Sequence, residues 1–290
     1  MRLGARLLAG AGEGCPIGGR IFACLPCCPV LSLSGLLRSM RADQLLVDRG
    51  LAASRSQAQR LISAGMRWRG PRGWQAVAKN GDELPAQAEI ELLDDAEARF
   101  VSRGGLKLEG ALHACGINPC GRDCLDVGQS TGGFTDCLLQ AGAAQVVGVD
   151  VGHGQLHARL RDDPRVSALE GVNARQLQAA DLPLPTYGLV TGDLSFISLT
   201  LVLPALVPLL APGGDLLMLV KPQFELQPGQ VGKGGIVRDP ARYAEVEARL
   251  RAACAACHLA VLRWLDSPIA GGDGNREFFI HARPLRAARS

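Results

Sequence analysis

The chain has 290 residues, of which 47% are hydrophobic, and this is enough for one domain of ordinary size, a small companion domain and a packed core. Its 31 basic and 28 acidic side chains give a net charge of only +3, which excludes a uniformly basic surface, so any nucleic-acid-binding surface has to be a local patch. The ten cysteines show no regular spacing, which argues against a disulfide-stabilised secreted protein.

Residues 1–39 show no pattern of helices or strands. Cys24 and Cys27 form a CxxC pair, but no second pair follows at the spacing of a zinc site, so we expect no bound metal. Glycines and Glu13 interrupt the apolar residues, which argues against a secretory signal peptide. Because Met40 directly precedes the first clearly patterned segment, we predict that residues 1–39 are a disordered extension from an upstream start.

The most apolar stretch of the chain lies at residues 199–211. Pro204 and Pro208 interrupt it, and it is shorter than the roughly 20 residues that a helix needs to cross a bilayer. We therefore predict no membrane span. The scattered cysteines are typical of small buried hydrophobic residues in a reducing compartment, which favours a cytoplasmic location.

Two short helices are predicted at the start of the patterned region. Residues 42–49 have the apolar spacing of a short helix. Ser54, followed by Gln57 three residues later, is typical of a helix N-cap, and Gly65 closes this second helix. The region therefore begins as a helical pair.

A small sheet is predicted after the helices, with a turn at Asn80-Gly81 and a strand at residues 88–93. Positive charge is concentrated before that strand, because residues 41–79 contain eight Lys or Arg and only two Asp, whereas residues 82–97 are acidic. Such a local patch suits a phosphate backbone, although an ordinary solvated basic face has the same composition.

Residues 40–98 as a whole resemble the αL RNA-binding module, which is named after the fourth protein of the small ribosomal subunit. Residues 41–58 and 61–65 carry the likeness, whereas residues 68–71 and Trp74 depart from the hydrophobic strand of that family. The resemblance implies a small α+β domain that grips structured RNA. The arginines it assigns to RNA binding are Arg41, Arg55, Arg60, Arg67 and Arg69.

From residue 99 onward, apolar strands alternate with longer helices, which predicts a parallel sheet covered on both faces, a doubly wound α/β fold. The predicted strand 123–127 runs directly into the glycine-rich loop 128–134. This loop lacks the G-x-G-x-x-G spacing of dinucleotide sites and the lysine of a P-loop. A cofactor with a methionine sulfonium, or a simple tight turn between strand and helix, remains compatible with it.

Asp150 ends the next predicted strand, at residues 145–149. In a doubly wound sheet, ligands bind across the carboxyl ends of the strands, where an acid can bind the two hydroxyls of a ribose. Asp150 could instead cap a helix, but its position after the glycine loop favours the ribose.

Four more ionisable residues are candidates for chemistry. Asp193 and Lys221 each follow an apolar strand, which places them at the ligand-binding edge. Lys107 lies on an otherwise apolar helix and Glu277 precedes an apolar strand, although such residues are more often solvated surface groups. At such an edge, residues of these types can orient or deprotonate a nucleophile and stabilise a developing negative charge.

Residues 100–283 resemble the FtsJ-like methyltransferases and, within them, the TlyA or haemolysin A family. Seven segments carry the likeness in family order, namely 101–108, 125–135, 150–156, 173–175, 193–198, 220–225 and 232–240. The resemblance implies a Rossmann-like, S-adenosylmethionine-dependent methyltransferase domain over residues 99–290. It further implies a monomeric, metal-free enzyme that methylates a cytidine 2′-hydroxyl in ribosomal RNA.

The same resemblance implies the site residues. The family's catalytic set falls on Lys107, Asp193, Lys221 and Glu277. Lys221 would activate the ribose hydroxyl. The cofactor-binding residues fall on Asp126, Gly128, Ser130, Thr131, Gly132, Gly133, Phe134, Asp150 and Asn173. Gln129 departs from the small residue usual in this loop, and its side chain could crowd the methionine end of the cofactor.

Two other functions stay open at this point. A non-catalytic RNA-binding or ribosome-assembly factor would keep the fold and lack turnover. The haemolysin name suggests a membrane-active protein, against which the absence of predicted spans and of a secretory leader counts.

Overall fold

The computed structural model describes residues 39–52, 54–93, 99–271 and 274–285. The predicted extension up to residue 38, with its Cys24–Cys27 pair, lies outside the described residues, as do residues 94–98. Ser39, the last residue of the segment predicted as an extension, pairs with Pro85 in the first strand.

The N-terminal region contains two helices and two small antiparallel sheets. In chain order the elements are β1 (Ser39–Arg41), α1 (Ala42–Asp48), α2 (Arg55–Gly65), β2 (Met66–Gly70), β3 (Gly73–Ala76), β4 (Glu83–Pro85) and β5 (Ile90–Leu92). β1 pairs with β4, and β2 lies between β3 and β5. The predicted cap of α2 is confirmed, because Ser54 Oγ accepts a hydrogen bond from the Gln57 N–H at 3.3 Å.

A separate apolar core supports this region. Buried residues from both helices meet the first residue of β2 and the middle of β4, namely Leu45, Leu46, Leu61, Met66 and Leu84. The hairpin between β2 and β3 turns at residues 70–73, where the sequence departs from the αL module. The strand predicted at residues 88–93 overlaps β5. The sequence predicted a small sheet here but not the bounds of its other strands, because segments of three to five residues carry too little periodicity.

The larger region alternates strands and helices, as predicted. Its elements are α3 (Gly104–Cys115), β6 (Asp123–Val127), α4 (Gly133–Gln140), β7 (Gln145–Asp150), α5 (Ala158–Arg161), β8 (Val166–Glu170), β9 (Tyr187–Gly192), α6 (Leu203–Leu206), β10 (Leu210–Val220), α7 (Pro222–Glu225), α8 (Pro240–Ala256), β11 (Leu259–Asp266) and β12 (Phe278–Pro284).

Seven strands in this described part form one sheet in the order β11-β12-β10-β9-β6-β7-β8. Strands β6 to β10 run parallel, whereas β12 is antiparallel to β10 and β11. One core cluster packs α3 and α4 on one face, and the other packs α6 and α8 on the opposite face. The predicted doubly wound α/β fold is therefore confirmed.

The strand register places the candidate site at one edge of this sheet. Gly192 of β9 lies beside Val127 of β6 and beside Met218 of β10. Val220 of β10 lies opposite Phe278, the first residue of β12. The segments that follow β6, β9 and β10 and the segment that precedes β12 therefore meet at the same edge, where doubly wound folds bind ligands.

A buried carboxylate anchors β12 at the opposite end of the sheet. Asp215 accepts hydrogen bonds from His281 Nε2 at 2.7 Å, Arg283 Nε at 2.6 Å and Arg122 Nη1 at 2.9 Å. Burial alone would raise the pKa of Asp215, but these three donors outweigh it and hold the pKa well below its usual range. The antiparallel strand that precedes the chain end is thus fixed to the parallel part of the sheet.

The apolar stretch at residues 199–211 folds into short helical turns and the start of β10. Within the described ranges, no helix combines the length and apolar character that a bilayer crossing requires.

Candidate active site

The glycine loop after β6 has a backbone that requires its glycines. Gly128 has φ +85°, and a Cβ there would lie 2.7 Å from the carbonyl oxygen of Asp193. Ser130 also adopts a positive φ, of 47°. A side chain at Gly132, with φ +94°, would collide with Leu156 and Leu160. The loop therefore lies in close contact with the end of β9 and with α5.

Asp150 holds this loop from the end of β7. Its Oδ2 accepts a hydrogen bond from the Ser130 N–H at 2.7 Å, and its Oδ1 accepts one from the Gly152 N–H at 2.7 Å. Each carboxylate oxygen can accept a further hydrogen bond. Asp150 is therefore fixed beside the loop and still able to bind hydroxyl groups.

The Gln129 side chain, which we considered from the sequence as a possible obstacle to the cofactor, is held against Thr135 and strand β7. Its Nε2 donates to Thr135 Oγ1 at 2.9 Å, and its carboxamide lies against Gly148 in the middle of β7. A Cβ at Gly148 would lie 2.0 Å from that carboxamide. The missing side chain of Gly148 provides the space that the larger loop residue needs.

Asp126 lies beneath the loop and is fully buried. Its Oδ2 accepts a hydrogen bond from Thr135 Oγ1 at 2.7 Å. Burial raises the pKa of Asp126 to about 7. The negative charges of Asp193 and Asp150 add to this rise, and the Thr135 hydrogen bond partly offsets it. Asp126 thus supports the loop from within the fold.

This raised pKa leads to a prediction about stability and pH. An unfolded aspartate has a pKa near 3.8 and the folded one near 7, so between these values the folded state binds more protons and stability falls as pH rises. Relative to Asp126→Asn, wild type should lose roughly 3 kcal/mol of unfolding free energy between pH 5 and pH 8. Chemical denaturation at both pH values measures it.

Asp123→Asn is the control for this measurement, because it removes an exposed carboxylate from the other end of the same strand. A difference between Asp126→Asn and wild type that stays constant from pH 5 to pH 8 would contradict the prediction.

A cleft of about 190 Å³ opens between the loop and the end of the sheet. It is lined by Ser102, Gly104, Gly128, Gln129, Ser130, Thr131, Gly133, Phe134, Asp193, Ser195 and Lys221. Most of the predicted loop residues and both strand-end residues therefore face one cleft. Asn173 does not line this cleft. It lies on an exposed turn, where its Oδ1 accepts the Arg175 N–H at 3.1 Å, and the preceding Val172 N–H donates to the Asp150 carbonyl at 2.9 Å.

Asp193 and Lys221 form an ion pair at the cleft. Lys221 Nζ lies 2.6 Å from Asp193 Oδ1 and donates a hydrogen bond to Ser195 Oγ at 2.8 Å. The side chains are 13% and 26% exposed for Lys221 and Asp193, so the pair is shielded and still open to a ligand. An ammonium has three N–H donors, and the hydrogen bond to Ser195 uses one of them, so Lys221 keeps donors for a substrate beside its ion pair with Asp193.

Lys107 and Glu277 form a second and more deeply buried pair. Lys107 Nζ donates to Glu277 Oε2 at 2.5 Å, and both side chains are buried. Burial raises the pKa of Glu277, and the positive charge of Lys107 opposes that rise. Helix α3 and the start of β12 are joined by this contact.

The two pairs lie close together, as the predicted catalytic set requires. Lys221 and Glu277 flank the paired residues Val220 and Phe278, so they are neighbours across β10 and β12. The charges of both Asp193 and Lys221 act on the pKa of Glu277. The structure therefore brings together all four residues of the predicted set, two cationic and two anionic.

Two aromatic residues beside the cleft were missed by our sequence reasoning. Phe196 has φ 63° and is 91% exposed, and its ring lies 4.9 Å from that of Phe224. A bulky residue with positive φ is rare and often marks a functional constraint. Their positions in the sequence could have indicated a role at the site, because Phe196 follows Asp193 by three residues and Phe224 follows Lys221 by three.

Glu225 was also missed, and it joins the segments that carry Asp193 and Lys221. This buried carboxylate accepts hydrogen bonds from Ser198 Oγ at 2.6 Å and from the Leu199 N–H at 2.8 Å. Arg249 of α8 balances its charge at 3.2 Å. The contact fixes the loop after β9 against α7.

Most of the arginines predicted to bind RNA take part in ion pairs. Arg41 and Arg55 both contact Asp43. Arg67 pairs with Glu91 and Arg69 pairs with Glu89. Arg60 lies half-buried on α2. Composition counts charged residues but does not show which of them pair, so it could not reveal these contacts between residues 2 to 24 positions apart.

No group of three or more His, Cys, Asp or Glu side chains that could hold a metal occurs in the described part of the chain. The cysteines described there are free, and three of them, Cys124, Cys137 and Cys254, are buried. Burial raises the pKa of each of these three thiols, as expected for inert core residues.

Comparison with known proteins identifies the family. Residues 100–284 match the FtsJ-like methyltransferase family. The chain is 46% identical over 255 residues to the 16S/23S rRNA (cytidine-2′-O)-methyltransferase TlyA of Mycobacterium tuberculosis, which covers 86% of this chain and 91% of that relative. It is 37% identical over 247 residues to hemolysin A of Brachyspira hyodysenteriae, which covers 83% and 99%.

A solved structure supports the same relationship. A protein from Streptococcus thermophilus that carries the name hemolysin superposes with a TM-score of 0.66 at 37% identity, covering 87% of this chain and 90% of that one. The chain belongs to the FtsJ-like methyltransferase family, in the branch that contains TlyA and hemolysin A.

Proposed function

We propose that this protein transfers a methyl group from S-adenosylmethionine to the 2′-hydroxyl of a cytidine in ribosomal RNA. The observation that carries the proposal is the convergence of Lys107, Asp193, Lys221 and Glu277 beside the glycine loop. The relative from M. tuberculosis, with the same activity in its name, supports this substrate and this product.

The residues around the loop fit S-adenosylmethionine. Gly128 lets the loop pass directly against the Asp193 carbonyl, and the cleft that Gly128, Ser130 and Thr131 line beside it can receive the cofactor. Gly128, Ser130 and Thr131 would hold the methionine part, and Asp150 would accept hydrogen bonds from the ribose hydroxyls. Asp126, Gly132, Gly133 and Phe134 would support this loop, and Asn173 would lie near the adenosine. When bound, the cofactor would supply an electrophilic methyl group.

Lys221 is the proposed activator of the ribose hydroxyl. In its neutral form the Lys221 amine would accept the hydroxyl proton, and the resulting ammonium would stabilise the developing alkoxide. Asp193, whose Oδ1 lies 2.6 Å from Lys221 Nζ, would stabilise that ammonium. Ser195, which accepts a hydrogen bond from Lys221 at 2.8 Å, would fix the direction of the amine.

The buried pair of Lys107 and Glu277 would contribute to the electrostatic potential at the reacting oxygen. Glu277 keeps the Lys107 ammonium fixed in a buried place, where an electrostatic contact is stronger than in water. The fixed Lys107 charge would add to the positive potential at the reacting oxygen. This requires no rearrangement during the reaction, which is the basis of electrostatic preorganisation.

Phe196 is proposed to stack on an RNA base, because an exposed aromatic ring beside a cleft suits an unstacked nucleotide. Since one stacked base contributes about 1 to 3 kcal/mol, Phe196→Ala should lower kcat/KM for RNA by about tenfold or more. The affinity for S-adenosylmethionine should not change. Steady-state kinetics and equilibrium cofactor binding measure these two effects.

Phe196→Trp should retain most of the activity, because it keeps an aromatic ring. Leu262→Ala removes a half-exposed apolar side chain on β11 and serves as the control. If Phe196→Ala has the activity of Leu262→Ala, the ring does not contact the substrate.

The two regions of the chain would have different roles. Residues 40–98 would act as an RNA-gripping module of the αL type, and residues 99–290 would be the methyltransferase domain. The Gln57 side chain donates to the Phe100 carbonyl at 3.4 Å, so the two regions are in direct contact. Action on ribosomal RNA would place the protein in the cytoplasm, and we propose that it acts as a monomer.

Incubation of purified protein with methyl-labelled S-adenosylmethionine and unmodified ribosomal RNA tests the proposed function. Digestion of the RNA to nucleosides should yield labelled 2′-O-methylcytidine. Binding of ribosomal RNA with no label incorporated would favour the assembly factor. Leakage of dye from liposomes, with no RNA labelled, would favour a membrane-active protein.

A further inference from the structure

A buried aspartate lies beneath two of the predicted RNA-binding arginines. Asp43 is fully buried at the start of α1. Its Oδ1 and Oδ2 accept hydrogen bonds from Arg41 Nε and Nη2, both at 3.0 Å. Its Oδ2 also accepts hydrogen bonds from Arg55 at 3.2 Å and Gln59 at 3.4 Å. One carboxylate thus joins residues from the start of α1 and from α2.

The backbone around Asp43 fixes the position of this carboxylate. The Asp43 N–H donates to the Asn80 carbonyl at 3.0 Å, so the residue is tied to the predicted Asn80-Gly81 turn. Gly81 leaves room for the Arg41 guanidinium, because a Cβ there would lie 3.2 Å from Arg41 Nη1. The carboxylate therefore has a fixed support, and Arg41 lies against the turn.

Both arginines stay accessible despite this contact. The Arg41 side chain is 48% exposed and the Arg55 side chain is 61% exposed, whereas the Asp43 side chain is 0% exposed. Two guanidinium groups share one carboxylate, so the group keeps a net charge of about +1, with its positive part toward solvent. The negative charge lies beneath them.

The arginines of strand β2 have a different arrangement. Arg67 pairs with Glu91 and Arg69 pairs with Glu89, each arginine with its own carboxylate. The Glu89 side chain is 46% exposed, so its negative charge faces the same solvent as the arginine. These two pairs are neutral as units and offer less to a phosphate than the group around Asp43.

We propose that Asp43 is a positioning residue that holds Arg41 and Arg55 as one phosphate-binding unit for RNA. The inference rests on the proposed action on ribosomal RNA and goes further, because it places the RNA contact of this region on the α1–α2 side and not on β2. Arg41 and Arg55 touch the phosphates, and Asp43 acts through them.

The physical reason is the cost of ordering two long side chains. A free arginine loses side-chain conformational entropy when binding immobilises it, and two close guanidinium groups repel each other. Asp43 removes both costs before RNA arrives, because it fixes the arginines and balances their repulsion. A planar guanidinium with fixed orientation then contacts phosphate through paired N–H groups.

Asp43→Asn should change the RNA affinity in the direction opposite to the one that net charge alone predicts. Asp43→Asn makes the surface more positive, so a uniform electrostatic effect would strengthen RNA binding. We expect instead that Asp43→Asn weakens binding to purified ribosomal RNA by about tenfold, since two arginines lose their order. Asp48→Asn, which removes an exposed carboxylate from the end of the same helix, should leave binding unchanged or slightly stronger.

A second comparison keeps the test independent of how well Asp43→Asn folds. The double variant R41Q/R55Q should weaken binding and lower the slope of log affinity against log salt by about 2. The double variant R67Q/R69Q, which removes the same charge, should change both values much less. Asp43→Asn introduced into R41Q/R55Q should cause no further loss, since its effect passes through those arginines.

The results distinguish a failure of this inference from a failure of the proposed function. Stronger binding by Asp43→Asn, or equal losses in R41Q/R55Q and R67Q/R69Q, would overturn the inference while wild type still methylates ribosomal RNA. If wild type neither binds nor methylates ribosomal RNA, the proposed function itself is wrong. Thermal unfolding of each variant separates a loss of RNA contact from a loss of the fold.

Discussion

Replacing Lys221 with methionine should slow methyl transfer to ribosomal RNA by about a thousandfold. Methionine keeps the approximate length and apolar character of the side chain but cannot accept the hydroxyl proton or stabilise an alkoxide. The variant also leaves Asp193 without its ion-pair partner at 2.6 Å. Single-turnover incorporation of labelled methyl groups, with saturating cofactor and RNA, measures the chemical step.

Cofactor and RNA affinity should stay near the wild-type values in Lys221→Met, since the glycine loop and Asp150 are unchanged. Arg165→Met is the matched control, because it likewise removes one cation from an ion pair. Arg165 pairs with Asp163 just before β8, at the end of the strands that lies away from the cleft. A Lys221→Met protein that transfers methyl groups as fast as Arg165→Met would remove Lys221 from the mechanism.

Breaking the buried pair between Lys107 and Glu277 should have the largest effect on stability. Lys107→Met leaves the Glu277 carboxylate buried without its counter-charge, and removal of one partner from such a pair costs about 3 to 5 kcal/mol. Because burial already raises the pKa of Glu277, we expect this acid to take up a proton in the variant. Denaturant unfolding at pH 7 measures the loss.

The double variant K107M/E277Q separates stability from activity. With both charges gone, most of the lost unfolding free energy should return, since an apolar or neutral pair in the same space is often as stable as the ion pair. Methyl transfer should remain low, because the positive potential at the reacting oxygen is lost. Recovery of activity together with stability would show that the pair has only a structural role.

The sheet and its edge could be predicted because they depend on long and regular patterns. Strand β6 matches its predicted bounds, and Asp150, Asp193 and Lys221 follow apolar runs long enough to identify as strands. In a parallel sheet, strand ends meet at one edge whatever the details of packing. The convergence of these residues therefore follows from topology alone.

Features that depend on pairing across the fold could not be predicted. The direction of Gln129 depends on the space above Gly148, and nothing in the local sequence links these two positions. The Glu225 contacts and the Asp43 group likewise join residues whose closeness is set by tertiary packing. Local sequence reports propensity and period, whereas these contacts depend on which faces meet.

The exposed position of Phe196 illustrates the same limit. Hydrophobic pattern reasoning places an aromatic residue in the core by default, but Phe196 has a positive φ and an exposed ring, and it directly follows the cleft-lining Ser195. Only the neighbouring Asp193 and the family segment hinted at a role in the site.

Mapping of ribose 2′-O-methylation across the ribosomal RNA of cells that lack this gene tests whether the protein methylates a cytidine through Lys221. The cells are complemented with wild type or with Lys221→Met. We expect at least one cytidine that carries the methyl group with wild type and is unmodified with Lys221→Met or without the gene. Identical methylation maps in all three strains would contradict it.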